Sequence, residues 1–164
     1  MSKNKGFTII ELLLVVSLIA ILSGVTLTVL NVSQLQKRPR DAQRVSDLGR
    51  MQTALELFFA DNRVYPTAAS WATASGALAA LKPSYISDIP APPTTPAATG
   101  SDPCTAGNSG YFYISDATGN KYVLATIMEL SASATSSTCT GLSNWGGLSL
   151  CGSPVANCYG AQNP

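Results

Sequence analysis

The hydrophobic pattern changes three times along the chain. Residues 7–30 are apolar almost without interruption, and Glu11 is their only ionisable side chain. As a helix this run is about 36 Å long, enough to cross a bilayer core of about 30 Å. From Asp41 onward the pattern becomes periodic. Val45, Leu48, Met51, Leu55 and Phe58 recur at spacings of three and four, while Arg44, Asp47 and Arg50 project from other sides. This predicts an amphipathic helix ending near Asn62, its apolar stripe packed as core and its charges, Arg40 and Arg44 among them, on a solvated face or facing acidic groups of adjacent subunits or anionic lipid. Lys37 and Arg38 precede Pro39, and a proline biases the residue before it away from helix, so a kink or short break is expected near Pro39. After Tyr65 and Pro66 the periodicity dissolves into Ala, Ser, Thr and Pro, with one short helix expected over 75–81 and a loop over 90–96. Tyr111–Ser115 and residues 121–127 read as strands joined through Gly119 and Asn120, a hairpin. A third strand is expected near 142–150, weakened by Gly146 and Gly147.

The expected fold class is therefore α+β: a long N-terminal helix, half apolar and half amphipathic, packed on a small antiparallel sheet. At 164 residues the chain holds one small domain beyond its apolar segment. It has no His and only 12% charged residues, which removes the commonest general base and metal ligand. No G-x-S-x-G elbow and no calcium-loop spacing occurs, since Asp102 and Asp116 stand alone. The expectation is a protein that is not an enzyme, with no cofactor and no metal. Its formal charge of +1 supplies little drive toward nucleic acid.

All four cysteines, Cys104, Cys139, Cys151 and Cys158, fall in the C-terminal region, with no C-x-x-C pair. An even number in a small loop-rich region reads as disulfides in an oxidising compartment, with buried free thiols the alternative. Three pairings are allowed. Cys151 with Cys158 closes a short loop and leaves Cys104 with Cys139 to tie the segments flanking the hairpin, the arrangement expected here. The cysteines place the C-terminal region outside the cytoplasm. The positive-inside rule opposes this, because Lys37, Arg38, Arg40, Arg44 and Arg50 outnumber Lys3 and Lys5. The apolar run is too long for a secretory signal peptide and lacks its small-residue cleavage site, so it is expected to be retained. Glu11 has two readings on physical grounds. It snorkels to headgroup water from near the start of the run, or it marks a cationic partner supplied from elsewhere.

The stretch Lys5-Gly6-Phe7-Thr8-Ile9-Ile10-Glu11-Leu12, after a short basic leader and before a long apolar run, resembles the processing site of type IV pilins and type II secretion pseudopilins. The resemblance implies a leader of residues 1–6, cut by a membrane prepilin peptidase between Gly6 and Phe7, and N-methylation of the new terminus on Phe7. It also implies a membrane and filament-core helix over 7–30, an amphipathic helix over 31–63 and a globular domain over 64–164. Glu11 then has a partner in the Phe7 amino group of a neighbouring subunit. Many type IV pilins carry a proline late in the apolar run, where this chain has Gly24, Thr26 and Thr28.

The function expected from the resemblance is a structural subunit of a type IV pilus-like filament. Its partners are copies of itself, the prepilin peptidase, an assembly platform with its ATPase, and the membrane. The alternatives are a secretion pseudopilin, or a minor pilin acting as adhesin or DNA-uptake factor. Trp71, Tyr85, Trp145 and Tyr159 are the candidate contact residues for a surface ligand, and the Arg38 to Arg50 stretch is the candidate for DNA. The chain is placed in the bacterial cytoplasmic membrane with its N-terminus inside, then in an extracellular pilus or a periplasmic pseudopilus.

Overall fold

Thr8 begins the first helix. Its hydroxyl oxygen accepts the Glu11 amide at 3.3 Å, while the Glu11 carboxylate accepts the Thr8 amide at 3.3 Å and the Thr8 hydroxyl at 3.0 Å. This reciprocal capping box satisfies donors that a helix start leaves without partners. The helix, α1, then runs Ile9–Val29. The second helix, α2, runs Val32–Asn62. A computed structural model describes residues 6–29, 32–93, 100, 102, 103, 105, 107–130 and 157–163, with no side-chain description over 25–34. The chain divides into two units, Met1–Leu35 and Gln36–Pro164.

In the second unit α2 lies under a four-stranded antiparallel sheet of order β1-β2-β3-β4, with β1 at Ala72–Thr73, β2 at Tyr111–Ser115, β3 at Tyr122–Ile127 and β4 at Cys158–Gln162. The β2–β3 hairpin has the expected boundaries within a residue, in the register Phe112↔Ala125 and Ile114↔Val123. Its turn uses Gly119 at φ +68°, a conformation that glycine adopts without strain. The Asp116 carboxylate accepts the amides of Asn120 and Lys121 across the same turn. The expected helix over 75–81 is a short helix α3, Ala74–Ala77, followed by a 3-10 turn at Ala79–Leu81. The third strand expected near 142–150 lies outside the described residues.

Alternation along the strands puts Tyr111, Tyr113, Tyr122 and Leu124 on the face that meets α2. There they form a core with Leu48, Met51, Ala54 and Leu55 of α2 and with Tyr65, Leu78, Leu81, Ile86 and Ile89 from the connecting segment. The opposite face, with Phe112, Ile114, Val123 and Ala125, is buried as well. The Tyr65 ring meets Tyr122 edge-on and stacks on Phe59 at 4.5 Å. Tyr65 and Tyr122 each donate a hydroxyl hydrogen bond of 2.9 Å to the Glu56 carboxylate. Burial, reinforced by that acceptor, pushes the Tyr65 hydroxyl pKa up to about 12.

Two expectations about α2 need correction. Of the kink or short break expected near Pro39, the break is absent, since the helix runs continuously through it. A proline removes one amide donor and costs about 3 kcal/mol inside a helix. The charged face is also not solvated where it was expected to be: Asp41, Arg44 and Asp47 are buried, while Val45, assigned to the core stripe, is exposed.

Candidate functional site

Two polar arrangements stand out, one at the start of each unit. In the first, Gly6 is exposed, and a Cβ added to it would meet nothing within 4 Å. Phe7 is 79% exposed. A chain that precedes the helix, side-chain-free at one position and open to its surroundings, is a physically suitable peptidase substrate. Four residues on, the Glu11 carboxylate is held against the helix start by Thr8. Thr8 was not singled out in the sequence, although T-x-x-E before an apolar run is a readable capping signal.

Beyond Glu11, α1 has no polar face: its apolar side chains are spread around the whole circumference. Ile9, Ile10, Leu12, Leu13, Leu14, Leu18, Ile19, Ile21 and Leu22 are all exposed in the single chain. A helix that is apolar all round requires lipid or protein on every side. Among the described residues no helix is long and apolar enough to cross a membrane. The α1 side chains are described from Ile9 only to Gly24, about 24 Å of helix, while the apolar run of the sequence continues to Leu30.

The second arrangement ties α2 to the end of β3. Arg40 grips Glu129 bidentately, at 2.7 Å through Nε and 2.6 Å through Nη2. Arg44, 3% exposed, donates to Glu129 at 2.9 Å and to Asp41 at 2.5 Å. The Asp41 carboxylate accepts the Glu129 and Leu130 amides at 2.9 and 3.0 Å. Two cations and two anions thus close on one another, and hydrogen bonds from Arg40 and then Arg44 hold the Glu129 carboxyl down at about 2, against the opposing effect of burial. Nearby, the Tyr111 hydroxyl donates to Asp47 at 2.8 Å, and burial pushes its pKa well up. The candidate charges for DNA are therefore partly spent inside the chain.

Cys158 lies buried in β4 and is disulfide-bonded. Cys104, Cys139 and Cys151 lie outside the described residues, and so does the expected pairing. Of the candidate contact aromatics, Trp71 is half-buried, and Tyr85 and Tyr159 pack partly against the core; Trp145 is outside the described residues. Among the described residues no group of His, Cys, Asp or Glu is arranged to hold a metal.

Residues 1–27 match the family model for the prokaryotic N-terminal methylation motif, the signature of type IV pilins and pseudopilins. No curated protein and no solved structure matches the chain.

Proposed function

We propose that this chain is a structural subunit of a type IV pilus-like filament, anchored in the membrane by its apolar N-terminal helix and then polymerised through it. The observation that carries the reading is the coincidence, within 30 residues, of the methylation motif, an open Gly6-Phe7 bond, and a helix apolar on every face except for one carboxylate. Prepilin peptidase cuts between Gly6 and Phe7 and methylates the new amino group. The apolar helix exchanges lipid for copies of itself, two apolar surroundings between which transfer need not expose it to water. Glu11, already ordered by Thr8, receives the Phe7 ammonium of the incoming neighbour. A carboxylate at the centre of a membrane-embedded helix costs roughly 2.5–3.5 kcal/mol and one near the end, like Glu11, less, and the neighbour's cation offsets that cost. Disulfides brace the exported domain, whose sheet is small.

The test is Glu11→Ala in cells with the full assembly apparatus. The variant is expected to lose its six-residue leader, read by mass spectrometry, and to remain in the membrane, while sheared filaments fall to background. Normal filaments would show that the carboxylate is dispensable and would remove the proposed pairing. A secretion pseudopilin shares every step, and the genes accompanying this one, for a retraction ATPase or for a secretin, separate the two.

A further inference from the structure

The grip of α2 on the sheet changes character at Leu48. Over residues 36–47 the buried side chains are Asp41, Arg44 and Asp47, all charged, whereas Pro39, Ala42 and Val45 face solvent. From Leu48 onward the buried side chains of α2 are Leu48, Met51, Ala54 and Leu55, all apolar. Residues 36–47 of the helix are thus attached by directional polar bonds. Its main fastening is the four-member network of Arg40, Asp41, Arg44 and Glu129.

The two kinds of attachment fail differently. Separating an apolar face exposes hydrocarbon to water in proportion to area, with no compensation. Separating a polar face lets water take over each hydrogen bond, so the net cost is far smaller than the gross strength of the bonds. The network also shares one acceptor set. Glu129 binds both arginines, and Asp41 binds Arg44 together with the two amides that begin the turn after β3. Losing the Glu129 carboxylate therefore removes a bond from both arginines at once, while Arg44 keeps its bond to Asp41.

We infer that residues 36–47 of α2 form an arm that opens from the sheet as a unit, latched by Arg40, Asp41, Arg44 and Glu129, so that a subunit drawn by its N-terminal helix yields there first while the sheet stays folded. The filament reading supplies the load; the existence of the arm does not depend on it. Opening of this sort is a sub-global event, distinct from unfolding of the core.

Hydrogen exchange on the full chain in detergent micelles at neutral pH tests the arm, with Glu129→Gln compared against the unaltered chain. The backbone amides of positions 129 and 130, which donate to Asp41, report the opening even if the arm stays helical. They and the amides of residues 40–47 are expected to exchange at least about tenfold faster in the variant, while Phe112 and Val123 in the sheet are unchanged. No acceleration at residues 40–47, 129 and 130, or equal acceleration there and in the sheet, overturns the proposal. Should Glu129→Gln fail to fold, Arg40→Gln retains the Arg44–Asp41 pair and is read by the same pattern. Failure of both to fold equally overturns the separate arm. Neither cleavage nor polymerisation enters the measurement, so its failure leaves the filament reading standing, and the Glu11→Ala result leaves the arm standing.

Discussion

The two units solve opposite problems with the same secondary structure. In α1, leucines and isoleucines are exposed around the whole helix and the one acid is answered locally, by Thr8 three residues away. In α2, Asp41 and Arg44 are 1% and 3% exposed and, besides pairing with each other, are answered from across the fold by the Glu129 carboxylate and the amides of Glu129 and Leu130. A globular domain buries its hydrocarbon and hydrates its charge. Unit 2 does the first but buries charge as well, which requires close pairing of every buried group. Unit 1 leaves its hydrocarbon exposed, which makes sense only if its solvent is not water. Burial in a single chain is thus a measure of which surroundings each segment was selected for.

Matched truncations press hardest on this contrast. Leu55→Ala removes a fully buried side chain from the domain core and is expected to cost about 2–5 kcal/mol of domain stability. Leu13→Ala removes one that is 59% exposed in the single chain, and the domain's denaturant midpoint should stay put. Urea titrations followed by tyrosine and tryptophan fluorescence in micelles read both. A comparable loss from Leu13→Ala would show that α1 contributes to the domain core, and the separation into two differently solvated units would fail.

How much of this was legible beforehand follows the reach of each interaction. The hairpin was readable because its strands carry Tyr, Phe, Ile and Val, and its turn carries Gly119 and Asn120 within the same 17 residues. The end of α2 near Asn62 was readable from the end of its periodicity, and the N-terminal methylation motif from one contiguous stretch. The two-residue β1 and the strand Cys158-Tyr-Gly-Ala-Gln162 were not, because neither has a strand-like sequence of its own: β1 exists through its pairing with β2, and β4 through its pairing with β3. Nor was the burial of Arg44 readable, since of its two acidic partners Asp41 lies on the same helix and Glu129, which closes the site, lies 85 residues further along. Without that partner a charged position between apolar ones reads as solvent-facing.

The acid side of the comparison is sharpened by pH. The Glu129 carboxyl is held at about 2 in the folded chain, below its ordinary value near 4.5. A group with a depressed folded pKa contributes stability that is fully present above the unfolded value and lost as pH falls through the folded one. The domain's melting temperature should therefore include a contribution that is constant from about pH 7 to about 5, declines below the ordinary value of 4.5, and is exhausted near pH 2. Glu129→Gln should flatten that portion of the profile. An identical acid decline in the variant would mean that the network does not carry it.

The smallest expected effect concerns two glycines placed alike in sequence terms and differently in consequence. Gly24 in α1 and Gly49 in α2 both sit inside helices, and an added Cβ meets nothing within 4 Å at either one. In a helix interior, glycine costs roughly 1 kcal/mol relative to alanine, chiefly through the freedom it keeps when unfolded. Gly49→Ala should therefore raise the domain's stability by about 1 kcal/mol in the same urea titration. Gly24→Ala should leave that titration untouched, because α1 is not part of what unfolds. If both substitutions shifted the midpoint equally, the boundary between the units would be a matter of geometry alone. If only Gly49→Ala did, the boundary would also be thermodynamic, with one segment stabilised by its own fold and the other awaiting a solvent made of lipid or of its copies.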